Sequence, residues 1–274
     1  MLGKLIKWDL AADWKKYSAL YAATLLVSVM LLTMGKIKEH IRDNRILEIV
    51  EDMFGVLFMT LIVAIGVAVI VLTVMRFYKN VVRDEGYLTH TLPVHTWQIL
   101  ASKLISSYIW FLSAFIIGGI CIGIGMGEPF WIFDFFEELS EVISTEASGS
   151  TERSLLIQIF VVIAISVVLA PFFIMTHTYF CFALGNLSNS HKLGVAVLSF
   201  FGVNIAENII STIVLSFFTT NFLGDRWADE MMPMTEVFRV SNTVMIITLV
   251  ISIVISVGFF IASERIFAKK LNLE

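Results

Sequence analysis

Charge is scarce in this chain. Asp, Glu, Lys and Arg make up 15% of its 274 residues, where a soluble domain of this size carries about 25%. With 58% apolar residues and a mean hydropathy of +0.86, what remains cannot cover a water-exposed surface, so the chain reads as an integral membrane protein. Cysteine is nearly absent. Cys121 and Cys181 both fall in apolar stretches, which excludes a disulfide framework and any paired-cysteine metal pattern. The phosphate-binding loop G-x-x-x-x-G-K-[ST] is missing, so no such loop of this chain binds ATP. H-E-x-x-H and G-x-S-x-G are missing too. His90 and His95 stand five apart with Pro93 between them, the wrong offset for two ligands on one helix face. No metal, no bound cofactor and no nucleic-acid partner is expected. The first sixteen residues carry Lys4, Lys7, Asp9, Asp13, Lys15 and Lys16 without an apolar core ending in small residues. They do not read as a cleavable signal.

What the chain has in abundance is long apolar runs. Six are long enough to span a bilayer: Tyr17–Gly35, Met53–Met75, Leu104–Gly125, Ser154–Leu184, Leu193–Phe218 and Thr243–Ser263. Each must satisfy its own backbone in lipid and is expected to be helical. The fourth is long and contains Pro171, so a kink or tilt is expected there. Little chain remains outside the runs, and residues 1–274 read as one all-α polytopic transmembrane domain. Its N-terminal segment, the 76–103 segment, the 185–192 loop and the C-terminal tail hold twelve Lys and Arg, against seven in 36–52, 126–153 and 219–242. The positive-inside bias therefore places both termini in the cytoplasm. The 126–153 loop agrees, with seven acids against one Arg. The 36–52 loop, with Lys36, Lys38, Arg42 and Arg45, runs against it.

Three shorter segments look ordered. In residues 2–16, Leu5, Trp8 and Ala12 share a face and Lys4, Lys7 and Lys15 lie elsewhere, which predicts a helix in the inner interface with snorkelling lysines. Residues 129–143 open on Pro129, crowd Phe130, Trp131, Phe133 and Phe136 at the front, and space Asp134, Glu137, Glu138 and Glu141 helically. An outer interfacial helix in the aromatic belt is expected. Residues 225–238, with Asp225, Arg226, Trp227, Met231 and Met232, read as an outer cap.

Polar residues then mark two places. The first is the segment 76–103, RFYKNVVRDEGYLTHTLPVHTWQILASK, between the second and third spans. It should extend the second span as a helix, reach Asp84-Glu85-Gly86, and break at Leu92-Pro93. Pro93 suits the first turn of a new helix, where its missing N–H costs nothing. That helix runs through Thr96-Trp97-Gln98 into the third span. A short cytoplasmic helix held at both ends by membrane helices can pass on a push as a rigid body. The second place is the fifth span. Asn204, Glu207 and Asn208 stand at i, i+3 and i+4, hence on one face. Glu207 is about 21 Å beyond Leu193, past mid-bilayer toward the outer side, where a charged carboxylate costs roughly 2.5–3.5 kcal/mol or more. The face lines a translocation path or a dimer seam, or it bonds internally to another span. His177, between Thr176 and Thr178, reads as a hydrogen-bonded packing residue and not as a proton carrier.

With these features in place, the chain resembles the six-span permease subunit of an ATP-binding-cassette exporter, the kind whose ATPase is a separate polypeptide. The resemblance covers the whole chain in topology and about thirty residues in motif: Glu85-Gly86, the short segment Tyr87–Thr91, the Leu92-Pro93-Val94 step, and Lys103 entering the third span. The segment 219–242 departs from it, lacking a plain pair of short re-entrant helices. The resemblance implies that Asp84, Glu85, Gly86, Tyr87, Leu88, Thr89, His90 and Thr91 form a coupling helix docked on the ATPase. It implies two permease chains, expected as a homodimer, with two ATPases that hold ATP and Mg. It places the complex among the lipids of a bacterial plasma membrane. The substrate class implied is an amphipathic or antimicrobial peptide or another hydrophobic compound. A secondary transporter or channel would need charged pairs or broken helices within the spans, and only Glu207 qualifies. A membrane enzyme would need a nucleophile–base set, and none is visible; the chain is not expected to be catalytic by itself.

Overall fold

The computed structural model describes residues 2–40, 45–82, 94–128, 130–146, 149–188, 191–223 and 233–269. Among them are seven α-helices: α1 (Leu2–His40), α2 (Arg45–Phe77), α3 (Thr96–Met126), α4 (Trp131–Glu146), α5 (Ser150–Gly185), α6 (Lys192–Leu223) and α7 (Met234–Lys269). A π-helical turn, Tyr78–Val82, continues α2. All but α4 are long and apolar enough to cross a membrane, and each contains one of the runs read from the sequence. The protein is a multi-pass membrane protein. Its helices keep large apolar side chains on the outside, among them Val56, Phe115, Leu198 and Val254. That surface would be untenable in water and is ordinary in lipid.

Residues 2–16 are the opening turns of α1, a continuous helix of 39 residues that carries on into the first span. Trp8 and Trp14 are exposed there, while Asp9 and Asp13 are buried. Residues 84–91 lie outside the described residues, as do 225–232 of the expected outer cap. Pro171 sits inside α5 without ending it. The amphipathic α4 has Asp134 in its first turn and exposes Phe133 and Phe136. The Trp131 indole N–H donates to the Gly119 carbonyl of α3 at 2.9 Å. Gly123 makes room for that ring: a Cβ there would fall 2.3 Å from it.

The chain gathers into two compact units. One comprises Met1–Arg76 and Ala101–Glu138, the other Phe77–Leu100 and Leu139–Glu274. The chain therefore changes unit at the two ends of the polar 76–103 segment. In the first unit Tyr17, Tyr21, Ile65 and Val69 form a buried core against Leu72, Trp110 and Phe111. The Tyr17 ring stacks on Trp110 at 4.1 Å, and its hydroxyl meets Thr73 Oγ1 at 3.1 Å. The Tyr21 hydroxyl meets Ser113 Oγ at 3.0 Å. Aromatic bodies thus fill the apolar interior while both tyrosine hydroxyls find a partner; the buried Trp110 indole N–H has none among the described residues.

In the second unit α5 packs along α7 and against α6. Phe77 stacks on Tyr179 at 3.8 Å and meets Phe267 edge-on, and Tyr78 stacks on Phe182 at 5.4 Å. The π-helical turn is thereby anchored by aromatic packing. Asn242 Nδ2 donates to Gln158 Oε1 at 2.8 Å, joining α7 to α5. At the end of α5, Gly185 is in close contact with α6. A Cβ would stand 2.6 Å from the Lys192 carbonyl oxygen and 2.7 Å from the Ala196 Cβ. We expect Gly185→Ala to destabilise the protein by about 1–3 kcal/mol, the usual range for overpacking. Gly202, with open space around it, provides the control. An unfolding midpoint in mild detergent that falls for Gly202→Ala and stays put for Gly185→Ala would refute this account of the α5–α6 contact.

Candidate functional site

Two polar constellations stand out, one in each unit. The first is built from charges. Asp9 and Asp13 are one helical turn apart on α1, so they share a face, and both are buried. Arg76, in the last turn of α2, reaches them with Nη2 at 2.9 Å from Asp9 Oδ1 and Nη1 at 2.5 Å from Asp13 Oδ2. Nη1 also donates to the Asp9 carbonyl. Lys103, in the third turn of α3, places Nζ 2.5 Å from the same Asp9 Oδ1. Two carboxylates and two cations balance, and charge-assisted hydrogen bonds satisfy most of their polar atoms. Asp9 Oδ2 has no partner among the described residues.

The sequence reading used Arg76 as a topology marker, used Lys103 both so and as part of the motif entering the third span, and gave Asp9 and Asp13 no partner. A signal was present. Two acids at i and i+4 in an otherwise basic first helix, beside an exposed-type tryptophan face, ask for buried cations. Which cations answer is a long-range matter that periodicity does not carry. The cluster sits at both feet of the polar segment, Arg76 at its start and Lys103 at its end. The expected docking residues 84–91 between them lie outside the described residues.

The second constellation is the polar face of α6. Asn204, Glu207 and Asn208 share that face as expected, and Asn208 Nδ2 donates to the Asn204 carbonyl at 2.8 Å and to Asn204 Oδ1 at 3.1 Å. Glu207 reaches across to α5, where His177 Nδ1 stands 2.9 Å from its Oε2. The side chain of His177 is 10% exposed and that of Glu207 27%. His177 is held edge-on between Phe200 and Phe259, at 5.0 and 5.8 Å between ring centres. Its Nε2 is buried and unpartnered. Eight residues separate His177 from Gly185, about 12 Å along the helix, so the pair lies well inside the apolar part of α5.

The pair borders a cavity of about 360 Å³. Phe173 and Phe200 give it aromatic walls, the two asparagines and Glu207 one polar wall, and Ser252 and Ser256 of α7 another. The internal bond to another span, one of the alternatives the sequence left open, is present: one oxygen of Glu207 is bonded to α5, and the residue also borders the cavity. His177 is hydrogen-bonded, as expected, and is also part of the cavity wall. The serines of α7 were not foreseen, because isolated serines in an apolar helix commonly bond their own backbone, as Ser252 does to the Thr248 carbonyl. Among the described residues no group of His, Cys, Asp and Glu is arranged to hold a metal ion. Comparison with protein-family models, with curated proteins and with solved structures finds no match for this chain.

Proposed function

We propose that this chain is the transmembrane subunit of an ATP-binding-cassette exporter, forming the translocation path and driven by a separate ATPase. The observation that carries the reading is the buried cluster of Asp9, Asp13, Arg76 and Lys103. It ties both ends of the polar segment to one helix. A push delivered to residues 84–91 then meets a fixed footing on α1, α2 and α3, and is not absorbed by side-chain rearrangement. On this reading those residues dock on a cytoplasmic ATPase, which holds ATP and Mg. The cavity beside His177 and Glu207 receives the substrate, an amphipathic peptide or another hydrophobic compound.

ATP in such machines is sandwiched between two ATPase subunits, so two copies of this chain are expected in the complex. Gly55 and Gly66 on α2 support close approach of a second copy. Among the described residues, no atom beyond the helix's own adjoining backbone lies within 4 Å of the position a Cβ would take at either. Native mass measurement in mild detergent should give two permeases with two ATPases. A fully active particle with one of each would refute the assembly. Replacing Glu85 and Tyr87 together should leave the protein inserted while uncoupling transport from ATP hydrolysis. Wild-type assembly and transport in that variant would remove residues 84–91 from the docking role.

A second reading gains from one observation. The His177–Glu207 pair places two titratable groups in contact inside the spans, the arrangement a proton-coupled secondary transporter uses. Transport by the reconstituted chain alone, driven by a proton gradient and indifferent to ATP, would establish that reading in place of the first.

A further inference from the structure

The cavity between α5, α6 and α7 has a chemical bias. Its carboxylate is half engaged: Glu207 Oε2 meets His177, whereas Oε1 has no partner among the described residues. Asn208 directs its amide N–H toward Asn204 and keeps its own carbonyl oxygen unbonded there. The buried Nε2 of His177 is unpartnered as well. Phe173 and Phe200 add aromatic faces. Among the described residues no lysine or arginine lines the cavity. A carboxylate oxygen, an amide oxygen and two π-systems thus border a space that takes no lysine or arginine from the described residues.

We propose that this cavity binds a small lipophilic amine in its protonated form. The ammonium group would donate to Glu207 Oε1 and to the Asn208 side-chain oxygen, while the apolar body of the ligand would lie against Phe173 and Phe200. The chemistry is that of cation recognition by a carboxylate with aromatic neighbours, which gains strength when water is excluded. About 360 Å³ is at the small end of ligand pockets. It admits an aryl–alkyl amine or one amine-bearing end of a longer molecule, and not a whole peptide. An anionic ligand would meet the carboxylate unscreened. A neutral one would leave Oε1 dry and unpaired, at the penalty of an unsatisfied buried acceptor.

The inference rests on the cavity being the substrate site and is independent of any ATPase. The test is accordingly direct binding to the full chain in lipid nanodiscs. Naphthylethylamine, followed by its fluorescence in equilibrium dialysis, is compared with naphthylethanol, and empty nanodiscs provide the blank. The amine should bind saturably, one per chain, at least tenfold more tightly than the alcohol. Glu207→Gln should weaken the amine at least tenfold and leave the alcohol unchanged. Ser252→Phe, which fills the cavity without touching the carboxylate, should abolish both. Equal binding of amine and alcohol by the wild-type chain overturns the proposal, even if the Glu207 variant fails to fold. So does undiminished amine binding by Glu207→Gln or Ser252→Phe. A chain that binds the amine and is never recovered with an ATPase would keep this inference and remove the exporter reading.

Discussion

Asp9→Ala should destabilise the protein by about 3–5 kcal/mol, the usual effect of stripping one partner from a buried ion pair. Asp9 accepts from Arg76 and from Lys103 through one oxygen, and the side chains of both cations are nearly buried, at 13% and 10% exposed. Removing the carboxylate leaves Lys103 without its short contact and Arg76 with Asp13 as its remaining carboxylate beside the Asp9 backbone carbonyl. The substitution that isolates charge from shape is Lys103→Met, alone and combined with Asp9→Asn. Each single change leaves the cluster one charge out of balance; the pair of changes leaves Arg76 balanced by Asp13. The double variant should therefore be more stable than the sum of the singles by about 1–3 kcal/mol, the range of coupling between residues in one network. Unfolding midpoints in mild detergent would measure it. Strict additivity would mean that the cluster is four separate surface charges and not a joint.

This cluster also marks how far the sequence could be read. The six membrane-spanning helices were legible because mean hydropathy over about twenty residues is a local property. Each observed span contains its predicted run. The shared face of Asn204, Glu207 and Asn208 was legible for a related reason, since spacing along one helix fixes what lies on one side of it. Pairing between helices is not local. His177 and Glu207 are thirty residues apart and Asp9 and Lys103 ninety-four, and no periodicity links them. In a chain this poor in charge, the stronger inference would have been to ask of every buried-prone acid which base it meets. Four acids and bases just outside the first three predicted spans were available to pair. The continuity of α1 was hidden differently. The shared face of Leu5, Trp8 and Ala12, with lysines elsewhere, suggested a separate interfacial helix before Tyr17, whereas Asp9 and Asp13 have buried partners and one helix continues from residue 2 into the first span.

Cysteines placed at 204 and 208 should react with a water-soluble thiol reagent at least tenfold faster than cysteines at 205 and 209. All four positions lie on α6, and all four side chains are exposed on its surface. They differ in what they face. Asn204 and Asn208 line the cavity with Glu207, whereas Ile205 and Ile209 are apolar side chains turned away from it. A thiol reagent needs water and an ionisable thiol, so the comparison reports wetness and not mere exposure. The background is low because Cys121 and Cys181 are both buried. Equal rates at all four positions would mean that the asparagine face is as dry as the rest of the helix. Glu207→Gln extends the test to function. Glutamine keeps the length of the side chain and can still accept from His177, so the variant should insert and fold. It cannot carry the negative charge that faces the cavity. If that charge contributes about 1.4 kcal/mol to holding the substrate, affinity falls tenfold. On the proposed exporter reading, substrate-stimulated ATP hydrolysis by the chain with its ATPase should then need about tenfold more substrate to reach half its maximum. An unchanged half-maximum in that variant, together with inert cysteines at 204 and 208, would assign Glu207 and His177 to holding α5 against α6 and nothing more.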